Sequence, residues 1–172
     1  PSGIWLKCNS LVDHRLIGLL YEASQAGVPI EILARGICCL RPGVAGLSET
    51  ITVRSIIGRF LEHGRIYVFA NGGEFLSDKN IVMISSADLM PRNLRRRVEC
   101  FMRLENPTIR KQVLHQIMVA LLRDEKNAWY LQPDGSYVHP QTDETSFSCH
   151  EYFMSNPSLS GLGSLSATQD NG

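Results

Sequence analysis

Hydrophobic positions along the chain fall into short clusters of two periods, near two and near 3.6 residues, and predict a mixed α/β protein. Residues 4–8 (Ile-Trp-Leu-Lys-Cys) read as a strand. Asn9-Ser10 leads to Asp13, a good helix N-cap, after which Leu16, Ile17, Leu20 and Ala23 recur at helical spacing. That pattern stops at Gly27, just before Val28-Pro29, and residues 30–34 form a second strand. Strand, helix and strand make a βαβ unit, so the two strands are expected to be parallel with a right-handed crossover. Arg35-Gly36 then falls at the carboxyl end of the second strand, where open α/β sheets bind ligands.

Residues 41–49 are loop by composition. Gly43 and Gly46 fit neither a Walker nor a Rossmann spacing, which leaves a plain loop or a lid that wraps phosphate. Residues 51–57 read as a strand, followed by a short helical turn from Arg59 to Glu62 and a β-branched and aromatic strand over 65–69. Extended backbone there sets His63, Arg65 and Tyr67 on one face and Ile66 and Val68 on the other. Asn71-Gly72-Gly73 is a turn. Residues 81–86 are apolar on both faces, as expected of a central buried strand, and end in Ser85-Ser86.

Met90-Pro91-Arg92-Asn93 reads as a turn before a strand over 97–102, with Arg97, Glu99 and Phe101 on one face. Val98, Cys100 and Met102 are then expected to face the core. Asn106-Pro107 starts a helix of roughly four turns whose buried face is Ile109, Val113, Ile117, Ala120 and Leu121. Pro133-Asp134-Gly135, between Tyr130-Leu131 and Tyr137-Val138, signals a hairpin. Glu151 to Met154 reads as a short terminal turn of helix. From Ser155 on, the Ser- and Gly-rich tail lacks a core-forming pattern and is expected to be disordered or loosely tied down.

At 172 residues, with 44% hydrophobic and 20% charged residues, the chain is one globular domain with enough mass for a core. No apolar run approaches the roughly 20 residues of a membrane span, and no signal peptide is visible. Pro1-Ser2-Gly3, without an initiator Met, is expected of a piece taken from a longer polypeptide. A net charge of zero argues against a general nucleic-acid binder, but the charge is unevenly spread. Seven basic residues lie between Pro91 and Lys111 against two acids, and from Arg123 onward seven acids face two basic residues. Thirteen of the 17 basic residues are Arg, whose planar fork suits phosphate oxygens. Five cysteines without CxxC spacing read as free, buried thiols of a reducing cytosol, and no metal site built from side chains is visible.

His63 and Arg65 beside the polar end of the 81–86 strand point to an anion site, most simply for phosphate. The plainer alternative is an ordinary pair at the surface or the core edge. Arg97 and Glu99 carry the same choice between a surface ion pair and two groups facing the site.

Several motifs follow in a fixed order. Pro1-Ser-Gly-Ile, Asn9-Ser-Leu-Val-Asp13, Tyr21-Glu-Ala-Ser24 and Arg35-Gly-Ile-Cys-Cys-Leu-Arg-Pro-Gly43 come first. Arg59-Phe-Leu-Glu-His63, Ser85-Ser-Ala-Asp88 and Met90-Pro-Arg-Asn93 come next. Together they closely resemble the C-terminal region of bacterial polyphosphate kinases of the first type. The likeness runs from residue 1 to about Met154 and includes Asp134-Gly-Ser-Tyr137. Leu89 stands where a Trp is expected, and the Arg95-Arg96 pair is unusually basic.

The resemblance implies a phospholipase D-like domain, a mixed sheet flanked by helices, as the second of two such domains whose junction forms the active site. Residues 1–154 would be that domain and 155–172 a tail. His63-Gly-Arg65 stands where phospholipase D enzymes carry His-x-Lys, and Ser85-Ser86-Ala87-Asp88 near their Gly-Ser-x-Asn segment. The resemblance makes His63 the second essential histidine, catalytic and bound to ATP or polyphosphate, and Arg35 and Arg97 phosphate-contacting arginines. Arg65, Ser86, Asp88, Arg92, Asn93 and Glu99 are further candidates, with Glu99 orienting His63 or Arg97. The preceding domain would carry the phosphorylated histidine and most contacts to Mg²⁺ and adenine.

Implied partners are ATP or ADP, inorganic polyphosphate and the preceding domains, without nucleic acid or a transmembrane segment. A homo-oligomer of the full-length enzyme is left open. The implied location is cytoplasmic, with peripheral association with the inner membrane also open. Alternatives are a phospholipase D-like phosphodiesterase half-domain, which wants two His-x-Lys motifs, and a non-catalytic polyanion-binding module.

Overall fold

Short, largely apolar strands build an eight-stranded mixed sheet among the described residues, in the order β6-β5-β4-β1-β2-β3-β7-β8. The computed structural model describes residues 1–156; beyond Asn156 the expected tail lies outside the described residues. The strands are β1 (Ile4–Cys8), β2 (Ile30–Ala34), β3 (Ile51–Ile56), β4 (Ile66–Phe69), β5 (Ile81–Ser85), β6 (Phe101–Arg103), β7 (Ala128–Leu131) and β8 (Tyr137–Val138). The expected βαβ unit is present: β1 and β2 pair in parallel around helix α1 (His14–Gln25), and β3 extends the parallel set. The other neighbours are antiparallel.

Both faces of the sheet are covered, which is why the parallel strands bury residues of both faces, the polar Lys7, Arg54 and Ser55 included. Leu6, Ile32, Val53 and Leu131 pack on one face with Ile17 and Leu20 of α1. Leu33, Val68 and Val82 pack on the other with Leu114, Met118 and Leu121. Two helix starts have a local cause. The Asp13 carboxylate accepts from the N–H groups of Arg15 and Leu16, and the Asn106 side chain caps α3 (Pro107–Lys111) in the same way.

The structure corrects several expectations. The helix after Asn106 passes from α3 through a π-helical segment, Gln112–Met118, into α4 (Val119–Leu122). The wider i→i+5 winding turns Leu114 and Met118 to the core beside Ala120 and Leu121. Val113 and Ile117 are only partly buried, and Ile109 is exposed. β5 is not central but second from the sheet edge, and of its residues only Val82 is fully buried. The expected helical turn over 59–62 is absent, and Pro91–Arg95 forms a short helix, α2, rather than a turn.

The strand expected over 97–102 shrinks to β6, because pairing with β5 starts only at Ser85 opposite Phe101. Val98 is therefore fully exposed and takes no part in the core. The terminal helix, α5, is longer than expected and runs over Cys149–Ser155. The cysteines are unpaired, but only Cys8 and Cys149 are buried; Cys39 and Cys100 are exposed. Burial pushes the Cys8 thiol up to about 12, so it is unreactive at neutral pH.

Candidate functional site

Strand direction decides where the candidate residues go. β1, β2, β3 and β5 end on the same sheet edge at which β4, β6 and β7 begin. Arg35 follows β2, His63 and Arg65 precede β4, and the segment from Ser86 to Glu99 joins β5 to β6. All nine candidates, Arg35, His63, Arg65, Ser86, Asp88, Arg92, Asn93, Arg97 and Glu99, therefore lie in connections on that one edge. This is the carboxyl end of the parallel strands, where an open sheet offers a crevice.

Asp88 is the centre of a network there. Its carboxylate accepts from the backbone N–H groups of Asn9 (2.8 Å) and Ser10 (3.1 Å), joining the β5–β6 connection to the end of β1. It also takes two hydrogen bonds from the Arg65 fork, at 2.9 and 3.4 Å. Burial would raise the Asp88 carboxyl, but the Arg65 fork and the two N–H groups outweigh it and hold it below the usual range. The same contact, led by the hydrogen bond to Asp88, raises the Arg65 guanidinium. Arg65 also donates to the carbonyl of His63 at 2.9 Å, so it fixes the backbone that presents the ring. Asn9, which sequence reading missed, accepts from Nε of Arg35 at 3.2 Å.

Glu99 makes a second cluster. It accepts from Ser86 Oγ (2.5 Å) and Asn93 Nδ2 (2.7 Å), and these bonds lower its carboxyl. Glu99 thus clamps its own connection, and its hydrogen bonds go neither to His63 nor to Arg97. Asn93 is buried, and its Oδ1 has no partner among the described residues. Arg95 reaches Asp13 at 2.6 Å, which pins α2 to the start of α1.

The segment over 57–65 has no regular hydrogen bonding of its own and is held from below. Lys7 of β1, buried to 4% exposure, donates to the carbonyl of Gly64 at 2.9 Å and lies 3.6 Å from Glu62. Desolvation lowers the Lys7 ammonium, although Glu62 opposes the shift. At the other end the buried His150 accepts from the Phe60 N–H at 3.4 Å. Gly58 is required beside it, since a Cβ there would come within 2.6 Å of His150 and of Asn127. Lys7 was missed as a site residue, although a lysine in an otherwise apolar strand is a sequence signal for a buried, partnered charge. His150 had no comparable signal.

The exposed groups left without partners are mainly cationic. The His63 side chain is exposed and its ring makes no hydrogen bond among the described residues. Arg92 and Arg97 are exposed, and their side chains form no hydrogen bond or close ion pair within the described residues, although Arg97 is near enough to Glu99 to help lower its carboxyl. Arg35 spends only Nε on Asn9, leaving its two terminal nitrogens open. The carboxylates beside them, Asp88 and Glu99, are already occupied. Among the described residues no group of three or more His, Cys, Asp or Glu side chains is placed to hold a metal ion. An edge with open guanidinium groups, one open imidazole and committed carboxylates suits a polyanion.

Comparison with known proteins shows the family and the fold. Residues 1–149 match the family model described as polyphosphate kinase C-terminal domain 2. A polyphosphate kinase of Erythrobacter litoralis is 57% identical over 163 residues, covering 95% of this chain and 23% of the relative. A polyphosphate kinase of Synechocystis is 53% identical over 149 residues, covering 86% of this chain and 20% of that protein. The crystal structure of polyphosphate kinase from Porphyromonas gingivalis superposes with a TM-score of 0.83 at 33% identity, over 97% of this chain and 24% of that one. The chain thus spans about a fifth to a quarter of the length of these relatives and shares the fold of the matching part.

Proposed function

The chain belongs to the polyphosphate kinase family, as its C-terminal domain 2, and from that premise we propose that it forms half the active site of an ATP:polyphosphate phosphotransferase. In this reading residues 1–154 are the second of two phospholipase D-like domains. The first carries the histidine that takes the γ-phosphoryl group: its bond to ADP breaks, a bond to histidine nitrogen forms, and the terminal oxygen of polyphosphate then displaces the histidine. The observation that carries the reading is the gathering of open Arg35, His63 and Arg97 on one sheet edge with the nearby carboxylates already satisfied.

Each open group has work to do in such a transfer. Arg35 and Arg97 stabilise the charge that spreads over the phosphoryl oxygens, and do so best when already oriented. His63 donates a proton or a hydrogen bond to the leaving or entering phosphate oxygen. Arg65, Asp88, Ser86, Asn93 and Glu99 position these groups and, being paired with one another, contribute less direct phosphate contact. Magnesium arrives as the ATP complex, with its protein ligands in the preceding domain. The described helices include none long and apolar enough to cross a membrane, and the reading places the enzyme in the cytoplasm.

Two experiments test it. The full-length polypeptide is expected to convert ATP to polyphosphate, and ADP with polyphosphate back to ATP, whereas this chain alone binds polyphosphate, less tightly as salt rises, and turns over neither. Robust turnover by the chain alone sinks the half-site reading, and hydrolysis of a phosphodiester favours the phospholipase-like alternative. In the full-length protein, Arg35→Ala is expected to weaken phosphate-ligand binding about tenfold or more, and Arg35→Lys to restore only part of it, because an ammonium cannot replace the fork. Full rescue by lysine, read in a binding isotherm, would mean that Arg35 acts as a simple charge.

A further inference from the structure

Beside Arg35 the sheet edge carries a feature that phosphate chemistry does not use. A shallow cavity of about 270 Å³ is lined by Arg35, Gly36, Ser55, Ile57, Trp129 and Tyr137. Ile57, Trp129 and Tyr137 keep 62%, 37% and 39% of their surface exposed, so three large apolar groups lie open next to a cation. Clustered exposed apolar surface marks a contact that the isolated domain does not make.

The hairpin explains how the two rings come to share this place. In the β7–β8 register Tyr130 faces Val138 and Leu131 faces Tyr137. Trp129 and Tyr137 are therefore diagonal neighbours on one face of the hairpin, with backbone spacing of about 7–8 Å. The indole is braced from behind by His139, whose ring lies 5.0 Å away and is itself hydrogen-bonded to the Lys126 carbonyl at 3.1 Å. Gly36 forms the wall towards the phosphate site as bare backbone, and a Cβ there would sit 2.9 Å from the Asn9 carbonyl oxygen. Arg35 lines the same cavity with its terminal nitrogens open.

Polyphosphate has no flat or apolar part and gains nothing from two aromatic rings. A nucleotide has both a polyanionic end and a planar one, and this edge offers a complement to each within one cavity. We propose that Trp129 and Tyr137 form a stacking platform for the nucleobase of a nucleoside di- or triphosphate whose phosphates reach Arg35. This assignment rests on the phosphotransfer reading above and adds to the adenine contacts expected of the preceding domain.

The test is equilibrium binding of ATP and of inorganic triphosphate to the full-length protein, with phosphotransfer measured in parallel. Trp129→Ala is expected to weaken ATP about tenfold or more and inorganic triphosphate less than about twofold, the signature of losing one base–aromatic stack. Trp129→Phe, which keeps a ring, is expected to retain most of the ATP affinity, and Tyr137→Ala to repeat the selective loss if the alanine variant at 129 fails to fold. Unchanged ATP affinity in a folded Trp129→Ala protein, or equal losses for ATP and triphosphate, overturns the platform. Absence of phosphotransfer in the unsubstituted protein overturns the functional reading instead, and the contrast between ATP and triphosphate still decides the platform.

Discussion

Replacing His63 with alanine is expected to lower phosphotransfer by the full-length enzyme at least about 100-fold, as for loss of a proton-transfer or charge-stabilising group. The unfolding temperature of the domain should barely move. Nothing in the fold leans on this ring: it is exposed, and the contacts that hold the segment go through the backbone at His63 and Gly64. A structural histidine would behave differently, and His150 is the internal contrast. The residue is 2% exposed and its ring accepts from the Phe60 N–H, so His150→Ala should cost about 1–3 kcal/mol through a lost hydrogen bond and packing. Thermal unfolding of both variants beside their turnover separates the two roles. A His63→Ala protein that melts early but turns over normally when folded would make His63 a scaffold residue.

The larger effect on stability is expected at Asp88. Its removal leaves the Arg65 guanidinium and the N–H groups of Asn9 and Ser10 without their acceptor in a partly buried site, and Asp88→Ala should cost about 2–4 kcal/mol. Asp88→Asn keeps one oxygen for the N–H groups and should cost less, while losing the charge on Arg65. The pH dependence has a definite sign. Because the folded carboxyl titrates below its ordinary range, its contribution is complete above the unfolded value, near about pH 4, and is lost as pH falls through the lower folded value. The stability gap between the unsubstituted protein and Asp88→Asn should therefore be constant from pH 5 to 7 and close on further acidification. Urea unfolding at pH 7 and at pH 3 measures it. A gap that persists unchanged into strong acid would show that the ionised pair does not stabilise the fold.

The local signals were reliable wherever a segment's fate depends on its own residues. Asp13 and Asn106 cap their helices, Pro133-Asp134-Gly135 turns the hairpin, and the strands from Ile4, Ile30 and Ile51 lie where the sequence reading set them. The failures share a cause. Residues 97–100 carry a strand pattern, but Glu99 bonds Ser86 and Asn93, and the backbone leaves the ladder until Phe101. Residues 112–118 carry an α-helical pattern, and the π winding rotates Leu114 and Met118 into the core instead. No single-segment period encodes either outcome.

The sequence by itself determined most of the elements, the βαβ start, the family and which residues to weigh as candidates, because propensity, capping and motif order are properties of neighbours along the chain. Which of those residues stay open was a tertiary matter. Arg65 and Arg97 are both arginines beside an acid in sequence or space, yet Asp88 is hydrogen-bonded to one while Glu99 bonds Ser86 and Asn93 and only influences the other through its charge. That division follows from β5 running beside β4 and delivering Asp88 to Arg65, across 23 residues of chain. Lys7 under Gly64, Asn9 on Arg35 and Trp129 beside Arg35 likewise arise only when the carboxyl ends of β1, β2 and β3 and the start of β7 meet on one edge. Hydrogen bonds and ring contacts reach only a few ångströms, so they are decided by which strands pair and not by where residues fall in the sequence.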